Sequence, residues 1–168
     1  MTIVVVKVVT GLWKENCYVV GLGDDKAIII DPGGDANRII KELETRDWRP
    51  LAVVNTHGHF DHIGGVTDLQ EHYNVPFYLH QSDLTLLRQA NLYKILWDSA
   101  TPIKVPDEVC CINEVKKIGR SEISFEHLPG HTEGSCAILV GDNIFTGDLL
   151  LNGSAGRTDL PGGNPDLM

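Results

Sequence analysis

Thr56-His57-Gly58-His59-Phe60-Asp61-His62 follows directly on the apolar run Leu51-Ala52-Val53-Val54. In an extended segment residues two apart face the same side, so His57 and His59 can direct both imidazoles to one point. Gly58 leaves the backbone free to bend, and Asp61 and His62 beyond it can address a second point nearby. Imidazole and carboxylate ligands together suit zinc, iron or manganese better than calcium or magnesium.

This histidine-rich stretch has one other interpretation, a polar turn in which the histidines have no shared role. The strand before it and the helix-like run after it favour a metal site. The pattern His-x-His-x-Asp-His behind a hydrophobic strand resembles the metallo-β-lactamase superfamily. The resemblance implies an α+β fold built of α and β layers, a four-layer αββα sandwich with the ligands at one edge.

The composition is that of a soluble globular protein, with 168 residues, 42% hydrophobic and 7% aromatic. This length predicts a single domain over residues 1–168. The N-terminal apolar run, residues 3–9, is too short for a membrane span or a signal peptide and is broken by Lys7. We therefore expect a cytoplasmic protein without a membrane partner. The cysteines lack paired spacing and are expected to be reduced thiols.

The formal net charge of −9 argues against nucleic acid as a partner, because phosphate neutralisation needs clustered Lys and Arg. Two bound divalent cations would bring the charge to −5, since −9 plus 4 is −5. They would also concentrate positive potential among the predicted carboxylate ligands.

Hydrophobic periodicity divides the chain into two β-rich parts that flank a helical middle. Strand, helix and strand alternate in the first part, which indicates helices covering the outside of a sheet. The predicted strands are residues 3–9, 16–20, 26–30, 51–55, 75–79, 115–118, 122–128, 135–140 and 143–146. The predicted helices are residues 35–47, 66–73 and 82–97, the last capped by Ser82-Asp83, and residues 100–109 are predicted to form a surface loop.

Two later motifs resemble further ligand motifs of the superfamily. His131 lies in a glycine-bounded loop between two predicted strands, and Asp148 follows the strand that ends at residue 146. The resemblance implies that His131 completes a first metal site with His57 and His59. Asp148 would bridge this metal to a second one, which Asp61 and His62 would also bind. The resemblance implies that the catalytic residues are Asp61, His62 and Asp148. Class B β-lactamases generally carry cysteine at the position of Asp148, so the resemblance is closer to glyoxalase II-like hydrolases.

Two further residues have supporting roles in this resemblance. Residues 153–163 resemble the short glyoxalase II-type hydrolases, and Arg157 within them is predicted either to satisfy backbone carbonyls or to contact an anionic substrate. Asp31 is predicted either to hold a ligand histidine by its outer ring nitrogen or simply to form an Asp-Pro turn. The other histidines, His72, His80 and His127, are not predicted ligands.

The two-metal hydrolases of the superfamily use one more histidine, and none follows His131. Residues 162–168 have the pattern of a loop entering a helix. We therefore expect the chain to be a fragment whose second metal site is incomplete. In that form it is expected to bind about one metal tightly and to hydrolyse substrate poorly or not at all.

The resemblance implies a metal-dependent hydrolase of the hydroxyacylglutathione hydrolase type with two zinc ions, or with iron or manganese. A metal-bound hydroxide would attack a small-molecule acyl thioester, whose thiolate leaving group has a conjugate-acid pKa of about 8.5 and needs no strong acid. Two alternatives stay open. One is a persulfide dioxygenase with a single iron on His57, His131 and Asp148. The other is a non-catalytic metal-binding fragment.

Overall fold

Two β-sheets form the centre of the fold in the computed structural model, which describes residues 3–97, 101–112 and 116–168. The strands are β1 (Val4–Thr10), β2 (Glu15–Gly23), β3 (Lys26–Ile30), β4 (Arg49–Val54), β5 (Phe77–His80), β6 (Cys110–Ile112), β7 (Lys116–Ile118), β8 (Ser121–His127), β9 (Cys136–Val140), β10 (Asn143–Phe145), β11 (Leu150–Leu151) and β12 (Ser154–Ala155). The first sheet contains β1 to β6 in chain order, and the second has the order β10-β9-β8-β7. Strands β11 and β12 pair with each other.

Strand direction in the first sheet follows from the connections. Strands β1, β2 and β3 are antiparallel and joined by short turns, whereas β3, β4, β5 and β6 are parallel neighbours. Parallel strands need a crossover that returns the chain to the same edge. The crossovers contain α1 (Ala36–Thr45), then α2 (Phe60–Ile63) and α3 (Val66–Tyr73), then α4 (Leu84–Arg88) and α5 (Ala90–Trp97).

The first sheet is buried on both faces, which explains the unbroken apolar sequence of β3. Ala27 and Ile29 pack on the helix side with residues such as Ile39. Ile28 and Ile30 point the other way and pack against the apolar side chains of β8, β9 and β10. Since alternate side chains of a strand point to opposite faces, one strand serves two hydrophobic cores.

Helices, first sheet and second sheet form three successive layers, and the predicted mixed α/β layer class is confirmed. No α-helix covers the outer face of the second sheet within the described ranges, and Ile144 on that face is 62% exposed. The described ranges therefore contain three of the four layers of the predicted αββα sandwich. None of the helices that the structure describes is both long and apolar enough to cross a membrane.

The helix predicted over residues 82–97 is wrong as a single element. It is interrupted at Gln89, whose carbonyl oxygen accepts hydrogen bonds from the backbone amides of Leu92 and Tyr93 and so starts α5. Asp83 lies at the N-cap position of α4, as predicted, but its side chain makes no capping hydrogen bond. Strand β6 was not predicted, because a segment of three residues is too short to show a strand periodicity. Residue 100 of the predicted loop and residue 115 of a predicted strand lie outside the described residues.

The loops that bear the predicted ligands lie at one edge of the two sheets. Asp31 follows β3, and the histidine-rich stretch follows β4, which is parallel to β3. The second sheet contributes His131 from the β8–β9 loop and Asp148 from the short 3-10 helix after β10. The carboxyl ends of neighbouring parallel strands form a crevice in which binding sites are commonly built.

Candidate metal centre

His57, His59 and His131 converge and form the first ligand group. One ring nitrogen of each lies within 4.8 Å of the other two, and all three side chains are buried. The Nδ1 atom of His59 lies 3.0 Å from the Nε2 atom of His131. Two residues of one local motif and a third from the opposite sheet thus meet at a single point.

An oxygen acceptor holds the outer nitrogen of each of these imidazoles. His59 Nε2 donates to the Pro161 carbonyl at 3.0 Å, and His131 Nδ1 donates to the Arg157 carbonyl at 2.7 Å. His57 Nδ1 lies 3.0 Å from the hydroxyl oxygen of the preceding threonine. Such contacts fix the tautomer and leave the other ring nitrogen as an electron-pair donor. The inner Nε2 of His57 is buried and has no hydrogen-bond partner among the described residues.

Asp31 supports both parts of the site from the end of β3. Its Oδ1 accepts from the Thr56 amide at 2.7 Å, and its Oδ2 accepts from the Thr56 hydroxyl at 2.6 Å. The same hydroxyl then accepts from His57 Nδ1, while Asp31 Oδ2 lies 3.3 Å from His62 Nδ1. Asp31 has a φ of 50°, in the left-handed region, so the fold holds this carboxylate in an unfavourable backbone conformation.

The second ligand group consists of His62, Asp148 and Glu15. His62 Nε2 lies 3.5 Å from Asp148 Oδ1 and 3.4 Å from Glu15 Oε2. The other oxygen of Asp148 lies 3.7 Å from His131 Nε2, so this carboxylate lies between the two groups. Sequence reasoning missed Glu15, because no motif links the start of β2 to the histidine-rich stretch.

Burial and charge act differently on the two groups. Burial lowers the pKa of His57 well below its usual value and lowers that of His59 to about 3, and neighbouring imidazoles add to the effect. Burial also lowers the pKa of His62, but the carboxylates around it, Asp148 foremost, raise that pKa well above its usual value. The first group therefore offers neutral donors, and the second favours positive charge.

Asp61 lies beside the second group, but it belongs to none of the groups of converging ligand atoms found among the described residues. Burial raises its pKa to about 6; His62 opposes the shift and Glu15 adds to it. Its carboxylate lines the cavity next to the site. The role of Asp61 as a metal ligand stays a prediction.

A cavity of about 150 Å³ adjoins the ligand groups. Its wall includes four aromatic side chains: Trp13, Phe60, Tyr93 and Trp97. The Arg157 guanidinium lies 5.5 Å from the centre of the Trp97 ring and donates to both carboxylate oxygens of Asp159, at 2.9 and 2.8 Å. The cavity is therefore largely apolar, and Asp159 balances the charge of Arg157.

Asp83, at the N-cap position of α4, has a further role that the sequence did not reveal. Its buried carboxylate accepts hydrogen bonds from the amides of Gly58 and Gly134, at 2.8 and 2.7 Å, and from the Thr132 hydroxyl at 2.8 Å. Burial raises its pKa, while these three donors oppose the shift. A Cβ on Gly134 would lie 2.6 Å from Asp83 Cγ, so the close approach requires glycine. Asp83 thus joins the loop of His57 and His59 to the loop of His131.

The other histidines lie apart from the two ligand groups. The rings of His80 and His127 stack with centroids 3.9 Å apart and planes 17° apart, joining the ends of β5 and β8. His127 Nε2 donates to the Glu133 carbonyl at 2.8 Å. His72, on α3, makes an edge contact with Tyr73.

The donors fit a divalent transition metal. The inner nitrogens of His57 and His62 are buried without hydrogen-bond partners among the described residues. Leaving such a group unsatisfied costs about 1–3 kcal/mol, which a bound cation would relieve. Imidazole with carboxylate is a typical ligand set for zinc or iron.

The profile of the metallo-beta-lactamase superfamily matches residues 10–168, and the chain belongs to that superfamily. Its members bind divalent metals and are mostly metal-dependent hydrolases. One relative is the hydroxyacylglutathione hydrolase GloC of Haemophilus influenzae, 30% identical over 166 residues that cover 93% of this chain and 76% of the relative.

Two solved structures are similar over almost the whole chain. The structure of the BLEG-1 B3 metallo-beta-lactamase has a TM-score of 0.88 at 35% identity and covers 98% of this chain and 81% of its own. The structure of TTHA1623 in a di-iron-bound form has a TM-score of 0.87 at 39% identity and covers 96% of this chain and 81% of its own.

Proposed function

We propose that the protein hydrolyses a small-molecule acyl thioester in the manner of a hydroxyacylglutathione hydrolase, at a centre of two divalent metals. The observation that supports this most is the position of Asp148 between the two ligand groups. One of its oxygens lies 3.5 Å from His62 Nε2 and the other 3.7 Å from His131 Nε2. A carboxylate placed this way suits a pair of neighbouring cations that both contact one reacting group.

We assign the first metal to His57, His59 and His131, and the second to His62 and Asp148 with Asp61 beside them. Zinc is the metal we propose, and the relative solved in a di-iron-bound form makes iron the second choice. When bound, a divalent metal lowers the pKa of water to about 7 and stabilises negative charge on a carbonyl oxygen.

The protein's own residues would orient the ligand imidazoles and limit the contact of the substrate with water. The Thr56 hydroxyl contacts the outer nitrogen of His57, and the Asp31 carboxylate lies 3.3 Å from the outer nitrogen of His62, so rotation of either ring would lose a contact. The aromatic wall would lie against an acyl chain bound beside the centre and would reduce its contact with water. A thiolate leaving group has a conjugate-acid pKa of about 8.5, so departure requires no side-chain acid.

The cavity also favours a small organic thioester over a macromolecule as the partner. Its volume is about 150 Å³, and its one arginine is already paired with Asp159. The net charge of −9 opposes binding to nucleic acid. We propose a cytoplasmic location, where small thiols are kept reduced and are therefore available to form acyl thioesters.

The test is thiol release from a hydroxyacylglutathione by the zinc-loaded protein. We expect turnover near pH 7 that stops after chelation and returns when metal is restored. A parallel assay with a β-lactam addresses the similarity to BLEG-1, and oxygen uptake with a persulfide addresses the mononuclear iron alternative. Opening of the β-lactam ring without thioester cleavage, or oxygen uptake with iron, would refute the proposal. Absence of all three reactions in metal-loaded protein would favour the non-catalytic alternative.

Asp148→Asn is the test variant for this assay, and Asp142→Asn is its matched control. Asp142 is exposed in the turn between β9 and β10, so its substitution removes the same charge from the same part of the chain. Hydrolysis is expected to fall in the Asp148 variant and to stay at the wild-type rate in the Asp142 variant.

A further inference from the structure

Glu15 places a carboxylate at the second ligand group from an element that contains none of the ligand motifs. It begins β2, where its backbone pairs with Thr10. Its side chain is 20% exposed, and its Oε2 lies 3.4 Å from His62 Nε2. His62 Nε2 is itself buried and has no hydrogen-bond partner among the described residues.

The spacing of these atoms is that of metal ligands and is too long for good hydrogen bonds. Ligand atoms about 2.1 Å from one tetrahedral centre lie about 3.4 Å from each other. From His62 Nε2 the distances are 3.4 Å to Glu15 Oε2 and 3.5 Å to Asp148 Oδ1. Hydrogen bonds between nitrogen and oxygen are usually about 2.7–3.2 Å long. The ligand atoms of Glu15, His62 and Asp148 all lie within 4.8 Å of one another, so a small divalent cation could contact all three.

We infer that Glu15 is a ligand of the second metal, which it holds together with His62 and Asp148. This inference rests on the two-metal function proposed above. The chain would then supply one imidazole nitrogen and two carboxylate oxygens to that cation from described residues alone. Two carboxylates and one bound divalent cation neutralise each other, which suits a partly buried position.

Metal binding is the direct test. Metal-free wild-type protein and Glu15→Gln are titrated with Zn²⁺ by calorimetry, and the visible spectrum of bound Co²⁺ reports the coordination of each equivalent. We expect two equivalents in the wild type, in place of the single tight equivalent expected from the sequence, because Glu15 gives the second ligand group a third ligand. In the variant the second is expected to bind at least about tenfold more weakly, while the first, on the three histidines, is unchanged. Glu122→Gln, which removes an exposed carboxylate in β8, is the control and should match the wild type.

The variant Glu15→Asp tests whether Glu15 binds the metal directly or acts only through its negative charge. It keeps the charge but withdraws the oxygens by one methylene, so a ligand role predicts weaker second-site binding and an altered Co²⁺ spectrum. Wild-type affinity and spectrum in Glu15→Asp, or an unchanged second equivalent in Glu15→Gln, would overturn the assignment. Circular dichroism of both variants without metal verifies that they are folded.

The outcome is independent of the hydrolytic assay. Loss of the second equivalent in Glu15→Gln, in a protein that cleaves no thioester, would support the ligand assignment and refute the proposed substrate. Thioester cleavage by the wild type together with unchanged metal binding in Glu15→Gln would support the proposed substrate and refute the ligand assignment.

Discussion

Replacing Asp83 by alanine should destabilise the folded protein strongly, although Asp83 belongs to neither ligand group. The substitution leaves the amides of Gly58 and Gly134 without their acceptor in a buried position. The Thr132 hydroxyl keeps a partner, because it also lies 2.8 Å from the Ser135 hydroxyl. Two orphaned amides at about 1–3 kcal/mol each give an expected loss of about 2–6 kcal/mol. That is a large part of the roughly 5–15 kcal/mol by which a typical domain is stable.

Urea unfolding followed by circular dichroism measures this loss, with a chelator present so that metal binding makes no contribution. Asp83→Asn keeps one carbonyl oxygen and should lose about half as much, about 1–3 kcal/mol. Asp107→Ala removes an exposed carboxylate and is the matched control, with an expected change within about 0.5 kcal/mol. A free energy of unfolding for Asp83→Ala within that same range would refute the view that Asp83 joins the two ligand loops.

Asp148→Ala should reduce hydrolysis about 100-fold or more and lower the bound metal measured by elemental analysis; near-normal turnover at full occupancy would contradict the two-metal centre. Removing metal should lower the melting temperature, because a ligand present at 100 times its Kd stabilises the native state by about 2.7 kcal/mol. Equal melting curves with and without chelator would contradict specific binding of metal to the folded state. Burial and the stacked ring of His127 lower the pKa of His80, so the folded state resists protonation. Stability should therefore fall as the pH drops through about 6.5, and His80→Gln should flatten this part of a series of unfolding measurements. An equal slope in both proteins would argue against the shift.

The local ligand pattern was determined by the sequence. His57 and His59 are two residues apart after an apolar strand, so their convergence follows from the period of an extended chain. The layered class was also predictable, because strand and helix periodicities alternate through the first half. The interruption of the helix at Gln89 was not predictable, because one residue changes the hydrophobic period too little to mark a helix end.

The completion of the site was decided by the tertiary structure. His59 and His131 are separated by 72 residues, and their 3.0 Å contact exists because the two sheets pack face to face. The convergence of Glu15 on His62 and the insertion of Asp83 between two loops likewise depend on which strands become neighbours. A sequence pattern reports only the periodicity of nearby residues, whereas these contacts result from burying two hydrophobic cores at once, and that packing brings distant charges to one edge.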